Sequence, residues 1–179
     1  LAYVYPAGGQ QGTSFRVRIG GRFLAATNGV LVSGRGVRAQ VAGYDRPLSG
    51  QKLTELREQA QELQKKANDP AVRKQLLDIR MQIGDSVRRN QNPTLSEIVT
   101  VEVTIESGAE PGLRQLRLDT PFGLSNPVVF SVGEVPLVAE KDLKNGKADA
   151  ELAITVPTVV NGRIIPGDGN RQQQPVRQG

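Results

Sequence analysis

The side chains in this sequence that could do chemistry are carboxylates, a glycine cluster and a set of cations. The commonest nucleophilic and metal-binding partners are missing. The 179 residues include no His and no Cys, which excludes a Ser-His-Asp or Cys-His nucleophile, an imidazole or thiolate zinc site and a disulfide framework. Glycosidases work with two carboxylates held on either side of a substrate. Glu102 and Glu106 instead share the outward face of one expected strand, so they read as a solvated face. A calcium loop offers several carboxylates at alternating positions, whereas Asp168-Gly169-Asn170 offers one acid and one amide and reads as a turn. Gly8, Gly9 and Gly12 have the composition of a phosphate-cradling loop, but such a loop sits between a strand and a helix. Here a strand follows, and the glycines read as a turn. No residue is therefore assigned a catalytic, cofactor-binding or metal-ligating role, no cofactor is expected, and the chain is read as not an enzyme.

The cations Arg73, Lys74, Arg80, Arg88 and Arg89 are the best candidates for a specific contact, and the expected partner is a protein or a second copy of the chain. The net charge of +5 invites a nucleic-acid reading, but no aromatic residue is interleaved among these cations for base stacking. The excess is also divided: residues 1–45 hold five Arg against one acid, and residues 46–90 hold ten basic against six acidic side chains. Residues 91–135 reverse the balance, with two basic against six acidic. No nucleic-acid partner is expected, and no apolar run approaches the roughly 20 residues that cross a bilayer.

These residues must be positioned by elements whose periodicity changes twice. Phe15, Val17 and Ile19 alternate with Ser14, Arg16 and Arg18, the period of a strand with one buried face. Val30 and Val32, then Val37, Ala39 and Val41, repeat the pattern between glycine turns. From Pro47 the apolar spacing becomes three and four: Leu53, Leu56, Ala60, Leu63 and Ala67, then Val72, Leu76, Ile79, Ile83 and Val87. Ser49 and Asp69 stand where N-caps belong, with Pro70 at the first helical position and Glu62 four residues before Lys66. Two such helices joined by a tight turn predict an antiparallel hairpin. After Pro93 the strand period returns, with Val99, Val101, Val103 and Ile105 facing one way. Leu116 and Leu118, then Val128, Phe130 and Val132, extend the series.

The expected fold is mainly β: an immunoglobulin-like β-sandwich over 1–46 and 94–135 with an antiparallel α-helical hairpin inserted at 47–93. Residues 136–150 read as a linker because Lys141 to Ala150 is charged and poor in apolar residues. Leu152, Ile154 and Val156 alternate as a strand, and 151–179 reads as the first strands of a truncated second β domain or as a docked tail.

Pro6-Ala7-Gly8-Gly9 and Gly12-Thr13, leading into Phe15 to Gly21 and Phe23-Leu24, resemble the opening of IPT/TIG-type immunoglobulin-like domains. Thr120-Pro121-Phe122-Gly123 followed by Val128 to Val132 is similar to that family's last hairpin and strand, and Glu110-Pro111-Gly112 to the turn before it. The likeness spans 1–133 apart from the insertion. Val160-Asn161-Gly162-Arg163-Ile164 with Pro166-Gly167-Asp168 resembles the first strand of bacterial pre-peptidase C-terminal domains, but lacks the aromatic strand that follows there. The combination resembles secreted proteins of planctomycete-type bacteria. The resemblance implies a non-catalytic module of a secreted or cell-surface bacterial protein, its signal peptide removed, acting in adhesion, assembly or domain spacing. The hairpin is the expected contact surface. The alternative is a carbohydrate-binding module, disfavoured because Tyr3, Tyr5, Tyr44 and the four Phe are few and most Phe fall at inward strand positions.

Overall fold

The structure, a computed structural model, describes residues 1–66, 68–139 and 155–162. Strands β1 (Tyr3–Tyr5), β2 (Gly8–Gln10), β3 (Ser14–Gly21), β4 (Gly29–Val32) and β5 (Val37–Asp45) precede helices α1 (Gly50–Gln64) and α2 (Pro70–Gln91). A single 3-10 turn at Pro93–Leu95 leads into β6 (Glu97–Ile105), β7 (Gly112–Thr120), β8 (Gly123–Leu124), β9 (Val128–Gly133), β10 (Leu137–Ala139) and β11 (Val159–Asn161). One sheet has the order β1-β3-β6-β5, and the other β2-β9-β7-β4 with β8 beside β7. The first is antiparallel throughout; in the second, β2 runs parallel to β9.

The alternation read from the sequence decides which faces meet. Val17 and Ile19 of β3 and Val99, Val101, Val103 and Ile105 of β6 form one side of a buried cluster, with Leu116, Leu118, Phe130 and Val132 of the second sheet on the other. The molecule is thus a mainly β protein with two sheets closed over one apolar layer, each fully buried aliphatic or Phe contributing about 1.5–3 kcal/mol. Leu24 and Ala109, both from loops, plug the layer.

Both helices lie in sequence between β5 and β6, and each buries part of its stripe: Leu53 and Leu56 on α1, Leu76 and Ile79 on α2, with Ala60, Leu63, Val72, Ile83 and Val87 half-buried. Ser49 caps α1 through its hydroxyl, which accepts from the Lys52 N–H at 3.3 Å, and Asp69 caps α2 by accepting from the Ala71 N–H at 2.8 Å. Glu62 pairs with Lys65 at 2.6 Å rather than with Lys66. Ala67 lies outside the described residues.

Four local expectations are corrected. Gly8 and Gly9 do not form a turn but a strand, paired with Ser131 and Val132. A glycine is needed at position 9 because a Cβ there would stand 2.2 Å from the Phe15 ring. The segment read as a linker begins with β10, which pairs in parallel with β11; residues 140–150 lie outside the described residues, as do Leu152 and Ile154. Val156 is exposed and outside any strand, and Asn161 ties β11 to the body by accepting from the Tyr5 hydroxyl and the Ala7 N–H, both at 3.1 Å. Finally, Phe23 and Phe122 are 58% and 81% exposed, so two of the four Phe point to solvent rather than inward.

Candidate functional site

The two exposed Phe meet at one end of the sandwich. β6 carries its apolar residues at odd positions from Val99 to Ile105, and Glu97 continues that parity at the strand's first residue. A carboxylate therefore arrives on the inner side, where β3 ends opposite it at Gly21. Its oxygens accept from the backbone N–H of Phe23 at 3.1 Å and of Leu24 at 2.7 Å. This clamp turns the chain so that Leu24 enters the core while Phe23 is turned out, with φ +62°, a left-handed conformation that costs an L residue about 1–2 kcal/mol. A bulge between Val41 and Gly43 places Tyr44 opposite Val99, and the Tyr44 hydroxyl donates to Glu97 at 3.0 Å. Partial burial, then that bond to a carboxylate, holds the Tyr44 phenol above its ordinary pKa.

Phe122 comes from the turn between β7 and β8. Its N–H donates to the Thr120 hydroxyl at 3.2 Å, and that hydroxyl donates to the Gly123 carbonyl at 2.9 Å. The Asn28 N–H donates to the Asp119 carbonyl at 2.8 Å, bringing the 22–28 loop beside this turn. The ring centroids lie 6.2 Å apart at 66°, and the Arg22 guanidinium sits 4.6 Å from the centre of Phe23. Aromatic pairs and cation–π contacts at exposed sites contribute about 0.5–1 kcal/mol each. Aromatic residues and Arg are the types that concentrate binding energy at interfaces, and strain held by surrounding bonds clusters at functional positions. Sequence reasoning passed over these residues; an acid at position 97, in phase with the inward valines, was the available signal.

The cations singled out on α2 separate into two groups. Arg73, Lys74, Arg80 and Arg88 are exposed, and Arg80 donates to Gln64 on α1 at 2.6 Å. Arg89 is different, with only 11% of its side chain exposed. It pairs with Asp45 at 2.5 Å and donates to the Ser96 carbonyl at 2.7 and 2.9 Å. Arg89 thus fastens α2 to the end of β5 and the start of β6, which removes it from the expected contact set. Ser86, also buried, accepts from the Leu48 N–H at 2.7 Å.

The acids weighed for chemistry stay apart. Glu106 pairs with Arg38 at 2.8 Å, and Glu102 is exposed opposite Arg16 and Gln40. Asp168 and Asn170 lie outside the described residues. Two clefts of about 300 and 320 Å³ flank β10, lined by Gly9, Phe15, Arg16 and Leu137 and by Val129 and Asn161 among others. No His, Cys, Asp or Glu is among their described lining residues. Among the described residues no helix is long and apolar enough to cross a membrane.

No protein-family profile matches the chain, and no curated protein matches it. Among solved structures it is similar to the Bacteroides ovatus mixed-linkage glucan utilization locus protein SGBP-B, in complex with a mixed-linkage heptasaccharide, at 12% identity and a TM-score of 0.33. The alignment covers 76% of this chain and 22% of that one. A score of that size does not establish a shared fold.

Proposed function

We propose that the chain is a non-catalytic interaction module of an exported bacterial protein, acting in adhesion, assembly or spacing of neighbouring domains. In this reading it is an immunoglobulin-like sandwich of the IPT/TIG type with an inserted antiparallel helical hairpin, and 151–179 opens a pre-peptidase-like segment. The sheet pairing across the insertion and the motifs around Pro6 to Leu24 and Thr120 to Val132 support the fold part. The observation that carries the functional part is the ring pair Phe23–Phe122, held open to solvent in a strained loop by a carboxylate clamp. The exposed face of the hairpin is a second contact surface. Secretion rests on the family resemblance.

A second reading, glycan binding, is favoured by the same rings, because an exposed ring face can stack on the apolar face of a sugar. One experiment addresses both. Phe122→Ala, at a side chain 81% exposed, is compared with the wild type for sedimentation at rising concentration and for retention on immobilised polysaccharides. Loss of self-association with unchanged melting supports the protein reading, and loss of polysaccharide retention supports the glycan reading. Wild-type behaviour in every assay contradicts a binding role for the rings.

A further inference from the structure

The outer face of α2 carries a surface of definite chemistry. At 100° per residue, Arg73, Lys74, Leu77, Met81, Gly84 and Arg88 fall on one side of the helix, away from the buried Leu76, Ile79 and Ser86. Leu77 and Met81 are 42% and 43% exposed and lie four apart, so they form one apolar ridge. Cations predominate along that ridge, with Arg73 at one edge, Lys74 at the other and Arg88 between them. Two acids border it on the Lys74 side: Asp85, four residues from Met81, is within 3.3 Å of Arg89, and Asp78 stands four residues from Lys74.

Gly84 is the second observation. Glycine inside a helix is unfavourable relative to alanine, and nothing lies within 4 Å of where its Cβ would be. No neighbour within the described molecule requires the missing side chain. It leaves a notch in the ridge, one turn beyond Met81, where another backbone can come close.

The geometry points to this face as the docking site for an acidic amphipathic helix of a partner protein. The partner's apolar residues would rest on Leu77 and Met81, its backbone would approach at Gly84, and its carboxylates would flank Arg73, Lys74 and Arg88. Charge complementarity selects an acidic partner over a second copy of this chain, whose net charge is +5. An apolar ridge only two residues wide suits a helix better than a bilayer, whose bound helices carry a broad apolar face. The inference rests on the hairpin being a contact surface, as proposed above.

The test uses a fluorescein-labelled amphipathic helical peptide of about 18 residues with a leucine stripe flanked by glutamates, its lysine-flanked counterpart, and phosphatidylglycerol vesicles. Saturable binding to the acidic peptide alone is expected, weakening as salt is raised. Lys74→Glu with Arg88→Glu should weaken it about tenfold or more. Gly84→Ala should raise the melting temperature while weakening binding, a combination a purely structural glycine does not give. Equal binding to both peptides, binding to neither, or preference for the vesicles overturns the inference. A photo-crosslinker at Leu77, used in the cells that make the protein, separates the two claims. A defined adduct despite a failed peptide test leaves the hairpin contact standing and removes only the acidic helix. No adduct removes the hairpin contact as well.

Discussion

At the scale of single residues, Glu97 stands out among the acids of the described residues. It accepts from two backbone N–H groups and one phenol, and so determines that Leu24 is buried and Phe23 is not. Replacing it by Ala leaves those donors unpaired at a half-buried position. Hydrogen bonds to a charged acceptor contribute about 1.5–3 kcal/mol, and Glu97→Ala is expected to lower unfolding stability by about 2–3 kcal/mol in a denaturant titration. Glu97→Gln should lose less, because its amide oxygen still accepts. Tyr44 gives a pH-dependent prediction. Its phenol is held above the ordinary value, so the folded state keeps this proton to higher pH than the unfolded state. The associated stability is complete below the ordinary phenol pKa of about 10 and is lost as pH rises through the raised one. The alkaline decline in melting temperature should be shallower in Tyr44→Phe, while an unchanged decline would place its cause elsewhere.

At the scale of elements, the link between the helices and the sheets rests on Arg89 and Ser86. Arg89→Ala removes the pair with Asp45 and both bonds to the Ser96 carbonyl. It is expected to destabilise the fold by about 2–3 kcal/mol. Lysine should rescue this only partly, because an ammonium cannot reproduce the fork geometry. Hydrogen exchange should quicken in α1 and α2 while β6 and β7 stay protected; uniform quickening would show that the insertion and the sandwich unfold as one unit. Much at this scale was legible in the sequence. The valine alternation of β6, the apolar stripes of α1 and α2, and the caps at Ser49 and Asp69 each leave a local signature. Long-range pairing leaves none: Gly8–Gln10 reads as a turn until β9 supplies its partner. Arg89 and Arg88 are adjacent and chemically alike, and only the position of Asp45 distinguishes a fastener from a surface charge.

At the scale of the whole molecule, the sandwich is a support that presents two surfaces, the ring pair at one end and the outer face of α2. The ring site was hidden in the sequence for a physical reason. Phe15 and Phe130 sit on strands, where parity gives direction, whereas Phe23 and Phe122 sit on loops, where only the Glu97 clamp and the Thr120 turn aim them. Charge gains meaning in the same way: Arg89 and Arg38 are paired within the molecule, with Asp45 and Glu106, whereas Arg73, Lys74 and Arg88 stand exposed on α2. The central claim is that the exposed rings are a contact site. The most direct measurement is photo-crosslinking in the cells that make the protein, with the reactive residue at position 122 and, as control, at the outward sheet position 102. The account predicts a defined adduct from 122 that disappears with Phe23→Ala, and none from 102. Equal, diffuse labelling from both positions, or none from either, would contradict it.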